Sequence, residues 1–465
     1  MRPLSRRHAL IGASAALVAG AAPRMAWGKT EADVIVIGAG LAGLAAATQL
    51  EAAGARVVLL EAAQRIGGRM HTLDDLPGRP EAGGVQVGSG YHRVLGLAKA
   101  HGIGLEPAPS IERNALYVIN GQSVTMRDWA TTPANRLVGS ERAVPPAALG
   151  GFYGARLGML SGPEGWTGAS AAALDIPYAQ ALATLGASAE ALRLIDANLN
   201  GNSIHTLSAL QLARTAAIFR ASPGQILMLT GGSQRLPEAM AAALNAQPRL
   251  GQLVTGIAET ADGVRVTLAG GRTLGARHCI CTIPFAALRT IAVEAPIGRD
   301  MASMIAGLPY SRASFAYLVA SDPFWKQDGL PETIWSDDPL IGRVFALGDD
   351  PAVLKVWLSG PNADQLDRLA PDVAAAEIIR RIEAARPSAR GKLRLLRIHS
   401  WQKNPFARGI YHHIAPGQGA ALAAATLPAA GRLHFAGEHL GRTAAGMEAA
   451  LESGESAART VATRL

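Results

Sequence analysis

Cysteine is almost missing from this 465-residue chain: Cys279 and Cys281 are the only two. At i and i+2 in a strand-like run they point to one face and match no metal-ligand spacing, so a cysteine-built metal centre is excluded and the pair reads as buried structure. Also absent, beyond the first residues, is any apolar run of the ~20 residues a membrane span needs. No basic cluster with interleaved aromatics occurs, which argues against nucleic-acid binding, and no internal repeat or one-signed charge run is present. The formal charge of +8 overstates the basicity. Arg2, Arg6, Arg7 and Arg24 lie in the first 28 residues with no acid beside them, which leaves about +4 (8 − 4) for the rest, a weak attraction for any polyanion. The length suits two or three domains at roughly 100–200 residues each.

What the chain does have is glycine, and its placement carries the first functional signal. The strand-like run 33–37, apolar from Val34 onward, enters Gly38, Gly40 and Gly43 at G-x-G-x-x-G spacing, followed by a helix-like run 41–53, Gly54, and a second strand-like run 56–60 ending in Glu61. Gly38 suits the sharp turn off the strand, Gly40 lets backbone approach a pyrophosphate, and Gly43 lets the helix pack on the sheet. The phosphates then lie at the positive end of that helix. Glu61 follows Gly43 by 18 residues (61 − 43), where a ribose-binding acid belongs, and an acid there argues against a 2′-phosphate.

The N-terminus carries an address. Ser5-Arg6-Arg7-His8-Ala9-Leu10, the apolar stretch 9–22 and small residues near Ala26-Trp27-Gly28 resemble a bacterial twin-arginine export signal, cleaved near residue 28. Fourteen apolar residues (9 to 22) are too few to span a bilayer, so no stable membrane insertion is expected after cleavage. Export of folded protein, to the periplasm or beyond, suits an enzyme that takes up its cofactor first, and two cysteines suit folding under reducing conditions.

After Glu61 the sequence reads E-x-x-x-R-x-G-G-R-x-x-T through Arg65, Gly67, Gly68, Arg69 and Thr72, then E-x-G-G at Glu81, Gly83 and Gly84. These motifs resemble the flavin-containing amine oxidases, a family that includes monoamine, polyamine and L-amino-acid oxidases, and residues 91–103 continue the likeness. A second stretch, Gly231-Gly232 opening a helix to about residue 244 and strand-like runs 253–257, 264–268 and 278–284, is similar to the second flavin segment of the family. A third, Phe435-Ala436-Gly437-Glu438 and Gly446-Met447-Glu448-Ala449, resembles its closing signature, with Ala449 where glycine is usual.

The resemblance implies an α/β architecture: a Rossmann-like FAD-binding domain of glutathione-reductase type with a discontinuous α+β substrate domain. The expected division is a signal at 1–28, flavin segments at 29–103, 227–290 and 401–465, a helical substrate segment at 104–226 and a strand-rich one at 291–400. It further implies FAD held by Gly38, Gly40, Gly43, Glu61, Arg69, Gly83, Gly84, Val254, Gly437, Glu438 and Met447. The backbone of Val254 would face the adenine side, Glu438 the ribityl chain, and the Met447 amide the flavin pyrimidine edge. Arg69 offers a forked donor to phosphate.

The implied reaction is hydride transfer from the carbon beside an amine nitrogen to flavin N5, giving an imine that water hydrolyses. Such sites need apolar, aromatic walls that disfavour the ammonium form more than they need acids or bases. Tyr411, in the segment that begins at Trp401, falls at one aromatic-cage position. Ile410 stands where monoamine oxidases carry the flavin-bonding cysteine, which predicts non-covalent FAD. Gly446 stands at the second cage position, leaving the pocket half-open or filled by Trp335 or Trp357. Thr290 stands where many members place a lysine near N5, and Arg289 is expected to point elsewhere. Gly84, Thr290 and Tyr411 are thus the positions where the chemistry is to be tested.

His412 and His413 send one side chain to each face of a strand. Arg93 is a candidate for a substrate carboxylate, though monoamine oxidases share an arginine there. The reading is a periplasmic FAD-dependent amine oxidase or dehydrogenase acting on a small amine, with oxygen or a periplasmic carrier as acceptor and the choice between monomer and homodimer open. Its rivals are an L-amino-acid oxidase, a flavin-dependent C–C desaturase, and a non-catalytic flavin-loaded binding protein.

Overall fold

The computed structural model describes residues 31–108 and 114–465; the twin-arginine stretch lies outside them. Among the described residues, two seven-stranded sheets organise the fold. The first starts where the apolar run predicted it. Ala32–Ile37 pairs in parallel with Val57–Leu60 on one side and with Thr273–Cys281 on the other, in the register Ile35 to Cys279 and Ile37 to Cys281. Leu433–Phe435 pairs in parallel with the end of Thr273–Cys281, while Val264–Leu268, Val254–Glu259 and Ala292–Glu294 extend the sheet away from it. Strands remote in sequence therefore end side by side at the Gly38 turn.

Both faces of this sheet are covered, which is why its central strands are apolar throughout. Val34, Val36 and Ile280 pack under the helices Leu41–Ala52 and Gly446–Ala462, with Leu44, Ala46, Leu451 and Ala458 opposite them. Ile35, Ile37, Cys279 and Cys281 face the other way, onto Ile257, Val266 and Phe285. Both cysteines are free and fully enclosed, and burial pushes their thiols up, Cys281 to about 12.

In the second sheet the order is Leu393–Ser400, Ala313–Ala320, Ala352–Ser359, Arg343–Asp349, Thr333–Ser336, Ala115–Ile119 and Gln122–Val124. Its pairs are antiparallel apart from Thr333–Ser336 with Ala115–Ile119. Alternation splits its residues between two surroundings. Ala316, Leu318, Leu354, Val356 and Leu358 go under the helix Pro371–Ala385, whose Ala374, Ile378 and Ile382 meet them. Ala313, Phe315, Tyr317 and Trp357 go to the opposite face, with Ala82 and Trp401.

One expectation changes here. The segment 104–226 is not helical alone: Leu105–Pro107 pairs with Leu227–Leu229, and Ala115–Ile119 and Gln122–Val124 join the second sheet. Ala115–Ile119 is buried along its whole length, a short unbroken apolar run whose period cannot distinguish strand from helix. No described helix is long and apolar enough to cross a membrane.

Candidate active site

A cavity of about 930 Å³ runs from the Gly38 turn, between the two sheets, to the apolar face of the second. Its beginning at the Gly38 turn is built by glycine. Gly38 has φ +103°, and a Cβ on Gly43 would lie 1.8 Å from the Gly38 carbonyl oxygen, so no other residue allows the helix to start this close to the strand. Gly38 and Gly40 line the cavity; Gly43 stands behind it as the packing contact. Glu61 closes the turn from the next strand. Its Oε2 accepts from the Ala39 amide and its Oε1 from the Ala63 amide, each at 2.8 Å. Burial pushes its carboxyl up, against the pull of those amides. Val254 and Thr255 form the wall beside it.

Farther in, the first and last segments are clamped together. Arg69 Nη1 donates to Glu438 Oε1 at 2.8 Å and to the Ile410 carbonyl at 3.0 Å, and His412 Nδ1 is 2.7 Å from Glu438 Oε2. That nitrogen of Arg69 is therefore spent within the protein and does not stand free for a phosphate. Burial alone would raise the Glu438 carboxyl, but the charges of His412 and Arg69, and the His412 hydrogen bond, hold it well below the usual carboxylate range. Gly437 is tied by its amide to Ser453 Oγ at 2.9 Å. The helix Gly446–Ala462 opens onto the cavity at Gly446 and Met447, as Leu41–Ala52 does at Leu41, so two positive helix ends face it.

The floor is the strand Glu81–Gly83 and Gly84. Glu81 is buried, its carboxylate accepting from Thr72 Oγ1, the Ser233 amide and Ser233 Oγ at 2.8, 2.7 and 2.6 Å, and burial raises it. Gly84 has φ +74°, and a Cβ there would come within 2.8 Å of Met70 Cγ. Trp401 donates from Nε1 to the Ala82 carbonyl at 2.8 Å and lies 3.1 Å from where a Gly83 Cβ would stand. Tyr411 lines the same chamber, and burial lifts its phenol to about 12.

Several candidates stand elsewhere. Thr290 is exposed at the cavity rim, its hydroxyl donating to the Ala287 carbonyl at 2.9 Å. Arg289 turns away to the carbonyls of Ile305 and Leu308. Arg93 pairs with Glu448 and Glu455 of the last helix and is not part of the lining. His412 and His413 also stay behind the wall, His413 Nδ1 lying 3.2 Å from Ser311 Oγ. Trp357 lines the chamber, whereas Trp335 packs on Tyr117 away from it. The space before Gly446 is taken by Tyr91, whose hydroxyl lies 2.9 Å from where a Gly446 Cβ would be. Sequence reasoning missed Tyr91 and also Lys355, a buried lysine in the lining whose only signal was its position inside the apolar run AVLKVWLS.

These residues fit a flavin dinucleotide. Glycines leave backbone open at the Gly38 end, an acid stands at the second strand, two helix ends face the cavity, and the far chamber is aromatic. The comparisons agree. Residues 41–462 match the family described as flavin containing amine oxidoreductase. The chain is 26% identical to an L-amino-acid oxidase of Siganus canaliculatus, with 93% of this chain and 86% of that protein covered. It is 26% identical to a flavin-dependent L-tryptophan oxidase of Lentzea aerocolonigenes (92% and 97% covered) and 25% to human amine oxidase [flavin-containing] B (93% and 86%). Among solved structures, cyclohexylamine oxidase from Brevibacterium oxydans IH-35A superposes with a TM-score of 0.77 at 25% identity, covering 93% of this chain and 99% of that one. The chain thus belongs to the flavin-containing amine oxidoreductase family, as an FAD-dependent enzyme of the amine oxidase type.

Proposed function

We propose that the protein oxidatively deaminates a small amine. The observation that carries this reading is the joining, in one cavity, of the glycine-built dinucleotide end with a chamber walled by Tyr411, Tyr91, Trp357 and Trp401. Bound FAD supplies the acceptor for the hydride on the carbon beside nitrogen; hydrolysis of the resulting imine yields a carbonyl compound and ammonia. Gly83 and Gly84 let this floor pack closely on Arg69, Trp401 and Met70 while lining the space a flat ring would take, and the end of helix Gly446–Ala462 would favour negative charge at the ring edge. Aromatic walls exclude water and disfavour the ammonium form of the substrate, which must lose its proton before hydride can leave. Ile410 offers no nucleophile, so the cofactor is held without a covalent bond and separates from acid-precipitated protein. A panel of amines, polyamines and amino acids added to the yellow protein under nitrogen tests the function: bleaching by one class supports it, and no bleaching by any sinks it.

A second reading, oxidation of amino acids, is favoured by the Lys355 ammonium within the chamber. As for the acceptor, Thr290 stands at the exposed rim with its hydroxyl bound to its own turn, and Lys355 brings a cation into the chamber, so oxygen and a periplasmic carrier both stay in the proposal. Stopped-flow mixing of reduced enzyme with air reads this directly, and reoxidation at oxidase-like rates would assign oxygen. The pair Arg6-Arg7 supports export through the twin-arginine route. Replacing both by lysine is expected to hold the protein in the cytoplasmic fraction, and unchanged periplasmic recovery would refute that route.

A further inference from the structure

Lys355 occupies the middle of Ala352–Ser359, an otherwise apolar strand but for its terminal serine. Leu354, Val356 and Leu358 turn to the helix-covered face, and Lys355 and Trp357 turn to the cavity. A leucine would fill the position without the cost of enclosing an ammonium. Nζ donates to the Glu81 carbonyl at 2.8 Å and stands 4.0 Å from the ring centre of Phe315, 4.9 Å from Trp357 and 5.6 Å from Tyr317. The Glu81 carbonyl already accepts from the Tyr317 hydroxyl at 2.8 Å, so it does not need the lysine to be satisfied. An ammonium has three N–H groups, and this carbonyl takes one. The Glu81 carboxylate is occupied by Thr72 and Ser233, and Lys355 forms no ion pair among the described residues. A desolvated cation at the wall of a substrate chamber, without a paired carboxylate, is a ready partner for an anion.

We propose that Lys355 anchors an anionic group of the substrate, so that the amine oxidised in this chamber is one that carries a carboxylate. The proposal rests on the amine-oxidising reading and narrows it. The charged and titratable groups facing Lys355 are Glu81, Arg343, His399 and Tyr317, each from a different strand. Burial brings the Lys355 ammonium down to about 7, with the Glu81 carboxylate opposing and Arg343 assisting. Above pH 7 the free enzyme therefore holds a neutral amine at this place, and a bound carboxylate restores the ammonium. Binding of an anion at pH 8 then takes up about one proton.

Benzoate and its uncharged relative benzamide serve as probes, titrated into the FAD-loaded enzyme and followed by the flavin absorbance band. Proton uptake is read by calorimetry at pH 8 in two buffers of different ionisation enthalpy. The expected result is benzoate about tenfold tighter than benzamide, as for one charge-assisted hydrogen bond, with uptake of about one proton. K355M loses both the preference and the uptake; K355R keeps the preference without the uptake, since a guanidinium stays charged. Equal binding of the two probes by the wild type, benzoate binding without proton uptake, or a preference that survives in K355M overturns the proposal. The wild-type measurements need no variant, so poor folding of K355M leaves them decisive. If simple amines bleach the flavin while benzoate shows no preference, the amine-oxidising function stands and the anchor falls. If benzoate behaves as expected while nothing bleaches the flavin, the function falls.

Discussion

Glu438 keeps a negative charge where water hardly reaches because a guanidinium and an imidazole stand against its two oxygens. Removing it would leave the largely buried Arg69 without its counter-charge, which costs more than the pair itself contributes. Glu438→Ala is expected to lose about 3 kcal/mol of stability and to leave purified protein depleted of flavin, both read from a melt and an absorbance spectrum. Gly84→Ala places a methyl group at φ +74° and against Met70, so flavin content should fall with little change in far-ultraviolet circular dichroism. Tyr91→Ala should raise KM for bulky apolar amines about tenfold, the loss of one aromatic contact wall, with kcat changed less. The glycines and Glu61 were legible because their spacing follows from one local turn. Tyr91 and Lys355 were not: what each does depends on a partner surface brought from another segment, the Gly446 end of the last helix for one and the Glu81 strand for the other.

The helix Gly446–Ala462 is gripped from two directions. Its Gly454 approaches Leu41–Ala52 so closely that a Cβ would lie 2.2 Å from the Ala42 carbonyl oxygen. Its Glu448 takes the Arg93 and Val94 amides as well as the Arg93 guanidinium, joining it to the helix His92–Ala100. Arg93, a substrate-binding candidate by sequence, is thereby explained as a fastening between elements. Glu448→Ala is expected to destabilise the protein by about 3 kcal/mol and weaken flavin retention, whereas Arg93→Lys, which keeps a charge, should lose less. If Arg93 instead met substrate, its variants would change the choice among amines while the melt stayed put. At this scale the strand and helix beginning at Ala32 were readable to within a residue, since apolar run, glycine turn and helix follow in one window. The second sheet was only half readable: its strand Ala115–Ile119 and its strand Thr333–Ser336 are more than two hundred residues apart, and nothing local announces that they pair.

Histidine titration is a property of the whole molecule. His71, His399, His413 and His434 are brought to about 4, and His439 to about 3, chiefly by burial. These rings stay neutral in the folded protein while the unfolded chain protonates near its usual 6.5. Unfolding therefore takes up protons below that value, so the stability they allow is complete above pH 6.5 and is lost as the pH falls toward 4. Melting temperature should drop steadily from pH 6.5 to 4.5, with His434→Phe flattening the drop; a level curve over that range would contradict the buried neutral assignment. The assembly of one cavity from residues 37 to 450 has a further consequence, for the order of events in synthesis. A growing chain can finish the Ala32–Ile37 strand and its helix early, but Glu438 and the Met447 helix end reach the ribosome's exit last. FAD capture is therefore expected only after nearly the whole polypeptide has been made, and a message cut short before residue 437 is expected to yield a protein with a glycine turn and no vitamin-derived colour.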